Sequence, residues 1–276
     1  MNLIKGLDRV TLIRGLIALL LLFGWEILGS TETISFFTSS PHKVLGEFLK
    51  LLIEGNLLLH FIVTAGEASA GLSLGLFVGG VIGLLLWYST TLARALHPFI
   101  LAAGSVPLVA LAPLFIVWFG IGIQMKIALS FFSTVFMTLS QSYQGACKVN
   151  AQYLDVLTAM QARPHEKFIK VIVPGSLDWV LGSMRLNIGL GLLGAFLGEF
   201  IASEAGLGHL ILRASSLYNT SQAFAAGFGI AALALIFDSF GAFIERRKTA
   251  IVQLVSVPRA IWLSSTSLSL KRLAKF

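Results

Sequence analysis

Charge is scarce in this sequence. Asp, Glu, Lys and Arg together make up 12% of 276 residues, about half of the roughly 25% that a soluble globular domain carries. So few charges cannot cover a water-facing surface, and much of the chain must have lipid as its solvent. There is one cysteine, Cys147, so no internal disulfide can form. No G-x-x-x-x-G-K-[ST] phosphate loop occurs, and the chain does not hydrolyse ATP by that route. His, Cys, Asp and Glu nowhere fall at metal-ligand spacing, so neither a metal ligand nor a catalytic residue is assigned. The G-x-S-x-G match GLSLG at 71–75 lies inside a continuous apolar run. A hydrolase elbow would need a strand and a strained turn to present Ser73. His60, His97 and His209 sit near the ends of different apolar segments with no serine partner, which argues against an intramembrane protease. The first apolar stretch has a long core and no small-x-small cleavage pattern after it. It reads as a retained anchor rather than a signal peptide.

Apolar residues are abundant instead, at 56%, with a mean hydropathy of +0.87. A helix crosses about 30 Å of hydrocarbon with about 20 mostly apolar residues. Six stretches qualify, approximately 11–28, 60–88, 97–119, 125–146, 179–202 and 221–244. The expected fold class is an all-α membrane protein with about six transmembrane helices. Residues 41–59 carry Lys43, Glu47, Lys50 and Glu54 in an amphipathic pattern, suited to a helix lying on the membrane surface. With the N-terminus inside, sixteen of the twenty Lys and Arg fall on the cytoplasmic side, leaving Lys43, Lys50, Lys126 and Arg213 outside. The positive-inside rule then places both termini in the cytoplasm. The net charge of +7 is dispersed over loops rather than clustered, so nucleic acid is not expected as a partner.

Within the spans, Gly71, Gly75, Gly79 and Gly83 recur every fourth residue and share one helix face. They open a groove for close backbone approach, either as fixed helix packing or as a moving contact in a pore. Gly182, Gly189, Gly191, Gly194 and Gly198 repeat the device less regularly. Glu26, Glu67, Glu199 and Asp238 fall within or near spans, where an ionised group needs a partner or water. Glu199 admits two roles, a structural contact to a neighbouring helix or a place on a translocation path.

The longest internal loop, about 147–178, has its own design. Asn150 can cap a helix on which Tyr153, Leu157 and Met160 recur at helical spacing. Pro164 starts a second helix, which Pro174 is expected to halt. The result is a cytosolic helix–turn–helix whose apolar stripe looks for a groove on a partner.

Here the chain resembles a known family. The loop is similar to the signature of ABC-importer permeases, Glu-Ala-Ala, three residues, Gly, nine residues, Ile-x-Leu-Pro. Anchored on Pro174, it sets Asp155 at the Glu, Val156 and Leu157 at the two Ala, Gln161 at the Gly, Val171 at the Ile and Val173 at the Leu. Only Pro174 is identical. The Gln161 departure bears on the turn, because glycine permits a tight one; Pro164 is expected to make it slightly later. The flanks VPLVALAPLFIVWFGIG at 106–122, VPGSLDWVLGSMRLNIGLG at 173–191 and GEFIASEAGLGHLI at 198–211 resemble permeases for nitrate, taurine and aliphatic sulfonates.

The resemblance implies a type I ABC-importer-like fold with a cytoplasmic coupling helix between spans four and five. It implies a homodimer in a bacterial inner membrane, two cytoplasmic ATPase subunits that carry ATP and Mg, and an extracytoplasmic solute-binding protein. This chain itself binds no cofactor. Tyr153, Asp155, Leu157, Met160, Gln161, Pro164 and Pro174 would couple to the ATPase, with Asp155 orienting or capping the element. Glu199, Gly206, Gly208 and His209 would belong to the outer translocation path. The chain divides into 1–40 (N-terminal segment and first span), 41–246 (permease core) and 247–276 (basic tail). The competing class is an ion-coupled secondary transporter, which would show internal repeats or interrupted helices.

Overall fold

A computed structural model describes residues 9–255, so the first eight residues and the tail from 256 to 276 lie outside the described residues. Every regular element among the described residues is helical: α1 (Arg9–Ser30), α2 (Glu32–Thr38), α3 (Pro41–Ile53), α4 (Leu57–Leu85), α5 (Thr90–Ser105), α6 (Leu108–Phe119), α7 (Ile123–Cys147), α8 (Ala151–Ala159), α9 (Pro164–Lys167), α10 (Val173–Ile201), α11 (Leu207–Ser216) and α12 (Thr220–Val255). Helix α12 runs past residue 246 without a break.

Five helical runs are long and apolar enough to cross a membrane, and α5 with α6 would make a sixth, bent by 91°. The expected straight span over 97–119 is therefore corrected to two helices meeting at a corner. The cause is Pro107, which has no N–H to continue the ladder and pushes Val106 out of helical backbone. Pro107 itself sits at φ −63°, ψ 113°, ahead of α6.

The residues form two compact units. One takes the described residues up to Leu74 with Ser105–Thr134 and Gly189–Ala234; the other takes Gly75–Gly104, Val135–Ile188 and the described residues from Leu235 onward. In the first unit, Gly71 packs against Ser130 and the Ile127 carbonyl, and Gly194 against Leu129 and Ser130. In the second, Gly79 meets the Val135 carbonyl and Thr138, and Gly83 meets Leu139 and Ser142. Numbers rise together along α4 and α7, so these helices are parallel. They run oppositely along α7 and α10, where Gly198 meets Lys126 and Gly191 meets Ser130 and Thr134. Since α4 and α7 start on the same side, the bent α5–α6 pair must carry the chain back across.

The glycine stripe thus has a packing role. Gly71, Gly75, Gly79 and Gly83 are all buried, and α7 answers with Ser130, Thr134, Thr138 and Ser142, each fully buried. Small faces on both helices let the backbones approach, the usual glue of membrane helices. A Cβ on Gly83 would collide with the Leu139 carbonyl and stand 2.8 Å from Ser142 Cβ. Gly83→Val is expected to lose about 3 kcal/mol of stability. Gly66→Ala, where nothing lies within 4 Å of the added carbon, should be neutral. Thermal unfolding in detergent micelles separates the two.

Candidate functional site

The elbow between α7 and α10 is built from local signals. Asn150 caps α8, its Oδ1 accepting the Gln152 N–H at 2.9 Å. The helix ends in a Schellman turn. Ala162 N–H donates to the Leu157 carbonyl at 2.9 Å and Gln161 N–H to the Thr158 carbonyl at 2.9 Å, the paired bonds of that motif. Gln161 takes φ +56°, so the tight turn falls at Gln161 itself and not later at Pro164. Pro164 instead opens α9, where the Arg163 N–H donates to Glu166 Oε2 at 2.8 Å. Because a left-handed glutamine is strained by roughly 1 kcal/mol relative to glycine, Gln161→Gly should stabilise the elbow by about that much. Slower amide exchange across 151–167 would register it.

Pro174 does not halt the second helix. Residues Phe168–Ile172 form one π-helical turn, and α10 begins directly at Val173. Widening the turn ahead of Pro174 accommodates its missing N–H and its ring. The run Pro164–Ile201 is consequently one helical rod. Two contacts seat its elbow end. Phe168 packs against Tyr88 at 4.8 Å and Trp87 at 6.0 Å between ring centroids. Lys148 Nζ lies 4.3 Å over the Trp179 ring. Lys167 Nζ also donates to Thr158 Oγ1 at 3.0 Å, tying α9 to α8.

The outward stripe differs by one residue from the expected set. Tyr153 is 62% exposed, Val156 53% and Met160 71%, whereas Leu154 and Leu157, bordering this stripe, are half-buried. Val156 thus joins Tyr153 and Met160 on the exposed face, with Leu157 less exposed at its border. Asp155 is exposed and does not cap α8, a task that falls to Asn150.

Toward the start of α4, in the other unit, a buried polar cluster surrounds the N-terminus of α11. Glu199 is fully buried. Its Oε1 accepts from Thr64 Oγ1 at 2.7 Å and its Oε2 from Gly208 N–H at 2.7 Å. Leu207 N–H donates to Thr64 Oγ1 at 2.9 Å, and Gly206 N–H to His60 Nδ1 at 2.9 Å. Glu199, Thr64 and His60 thus satisfy the open N–H groups of that helix, where its dipole favours a carboxylate. Gly206 sits at φ +114°, and a side chain there would strike the Glu199 carboxylate. Of the two roles open for Glu199, these contacts describe the structural one. His209 stacks on His60 with ring centroids 6.3 Å apart. Beside them Lys126 Nζ bonds Glu67 Oε1 at 2.7 Å, with 8% and 1% of the two side chains exposed. Lys126 falls among the four outside cations of the sequence count, and its partner on another helix has no sequence signal. Ser73 of the GLSLG match lies within α4, without the strand a hydrolase elbow requires.

Comparison with known proteins places these features. The profile of the family described as binding-protein-dependent transport system inner membrane component matches residues 71–250. The chain is 28% identical over 218 residues to the formylaminopyrimidine transport permease protein ThiX of Halalkalibacterium halodurans, covering 79% of this chain and 87% of that one. It is 29% identical over 224 residues to the putative aliphatic sulfonates transport permease protein SsuC of Bacillus subtilis, covering 81% of each. It is 27% identical to the taurine transport system permease protein TauC of Escherichia coli, covering 83% of this chain and 84% of that one. The fold is similar to a chain of the MetNI methionine ABC transporter in an inward-facing conformation. There the TM-score is 0.63 at 17% identity, over 70% of this chain and 95% of that one.

Proposed function

Because the chain belongs to the family of binding-protein-dependent transport system inner membrane components, we propose that its cytosolic elbow is the part through which an ATPase subunit drives transport. The chain is a permease subunit of an ABC importer. Its solute is a small polar nutrient, in keeping with relatives named for aliphatic sulfonates, taurine and formylaminopyrimidine. Two copies form the pore, each engaging one cytoplasmic ATPase that holds ATP and Mg, and a binding protein delivers solute to the outer mouth. Both termini lie in the cytoplasm.

The observation that carries this reading is the exposed stripe Tyr153–Val156–Met160 on an otherwise well-anchored element. An apolar stripe held rigid outside the membrane is stable only when something covers it, and an interhelical cleft on a partner fits it. Closure of the ATPases then moves α8. The movement passes through the Schellman turn and α9 into the continuous helical run Pro164–Ile201, and through Phe168 into Tyr88 at the end of the run Leu57–Tyr88. Helical continuity lets a displacement at the elbow reach the spans without being absorbed in a loop.

Reconstitution with the binding protein and ATPase tests the reading. Uptake should require enclosed ATP. Accumulation driven by a proton gradient, with no ATPase present, would establish the secondary-transporter class instead.

A further inference from the structure

The unit that contains the elbow also contains a cleft of about 630 Å³, whose lining includes Gln141, Asp178, Gly182, Arg185, Asp238 and Glu245. Arg185 of α10 forks onto Asp238 of α12, Nε to Oδ1 at 3.0 Å and Nη2 to Oδ2 at 3.0 Å. Glu245 Oε2 lies 3.5 Å from Arg185 Nη1. These side chains remain 43%, 48% and 47% exposed, although all three belong to helical runs long and apolar enough to cross a membrane. Charged groups on such helices face protein or water rather than hydrocarbon. Helix α12 carries the contrast on its own surface. Phe240, two residues beyond Asp238 and so on nearly the opposite side, is 63% exposed and apolar, as a lipid-facing position should be. Gly182 adds room, since a Cβ there would meet no atom within 4 Å.

We propose that this cleft is a water-filled chamber on the solute's route, with an acceptor-rich wall that receives solutes presenting N–H groups. The proposal rests on the permease reading and extends it to the chemistry of the path. The guanidinium of Arg185 is already forked by a carboxylate, so a bare oxyanion finds the one cation among the described lining residues engaged. Asp178, Asp238 and Glu245 bring carboxylates, each with about four lone-pair sites, and the Gln141 carbonyl adds a further acceptor, so acceptors outnumber donors on this wall. An amine or amide N–H on a passing solute would be met at several points. Such multiple weak contacts suit a path, where binding must be favourable yet brief.

Cys147 is the chain's one cysteine, so single-cysteine variants in a Cys147→Ser background test the chamber directly. Gly182→Cys and Leu186→Cys would each be assembled with the ATPase and binding protein in inside-out vesicles. Each is then treated with membrane-impermeant thiosulfonates, one cationic and one anionic. Thr91→Cys, on an exposed residue beside the end of α4, serves as the aqueous reference, and Phe240→Cys as the lipid reference. The cleft positions should label within about tenfold of Thr91→Cys, with a cationic-to-anionic rate ratio at least about threefold higher. Phe240→Cys should stay unlabelled.

If the cleft positions react only with a lipid-soluble maleimide, the chamber is a lipid face and the proposal is wrong. Disulfides between two copies without reagent labelling would make it a subunit interface, which also overturns it. Equal charge ratios would remove the acceptor-rich wall. Absence of ATP-dependent uptake by the unmodified chain assembled with its ATPase and binding protein would instead count against the permease reading, so the two failures are distinguishable.

Discussion

Met160→Asp should release the ATPase from the purified permease and abolish ATP-driven uptake. Met160 stands 71% exposed at the end of the stripe, where the proposed cleft would bury it. A carboxylate placed there loses the apolar contact and must also be desolvated without a partner, a penalty of several kcal/mol. Central interface positions commonly account for about 2–4 kcal/mol on truncation alone. The combined loss corresponds to at least a hundredfold weaker association. Val156→Asp should act alike, because Val156 shares the face. Leu157→Asp should fail differently, since Leu157 is half-buried against its own chain and its replacement loosens the elbow before any partner is lost. Co-purification in detergent together with thermal unfolding of the permease distinguishes the cases. Release at unchanged stability is expected for Met160 and Val156, and lowered stability for Leu157.

The second large effect lies at the buried ion pair. Lys126 Nζ and Glu67 Oε1 are 2.7 Å apart, with no water-facing side to fall back on. Lys126→Ala removes one charge and leaves the other enclosed, which destabilises by about 3–5 kcal/mol in comparable buried pairs. The double change Lys126→Met with Glu67→Gln removes both charges at similar volume and should restore most of the loss, because the pair's own desolvation disappears with it. Chemical denaturation in mixed micelles would measure the difference. Equal destabilisation by the single and double variants would mean that the pair is not the reason.

Much of the architecture was legible from periodicity. Glycine every fourth residue announced a close helix contact, and α4 packs through it. The answering stripe Ser130, Thr134, Thr138 and Ser142 follows the same four-residue period. It went unread because hydroxyl residues merely lower a span's hydropathy and look like noise until their burial is known. The corner at Pro107 was hidden for the opposite reason. Hydropathy averaged over 97–119 runs smoothly across a proline whose effect is purely local. Pro174 shows the same proline physics with another outcome, since one π-helical turn upstream relieves it.

The candidate site divides along the same line. Asn150 as a cap and the outward stripe follow from spacing within ten residues. Thr64 on Glu199, Lys126 on Glu67 and Arg185 on Asp238 do not. Their partners are far along the chain, at separations of 135, 59 and 53 residues for the side-chain pairs. Only the helix packing brings them together. Gln161 sits between these cases. Its family position pointed to a turn, and the backbone adopts glycine's conformation there with a glutamine in place.

The measurement that bears most directly on the elbow is crosslinking from its exposed face. A Cys147→Ser, Met160→Cys chain carrying a photoactivatable thiol reagent would be reconstituted with its ATPase and binding protein during ATP-driven uptake. The expected result is a crosslink to the ATPase chain whose yield changes with bound ATP. Crosslinks confined to the permease's own helices, while ATP-driven uptake continues unimpaired, would contradict the assignment of the elbow as the coupling element.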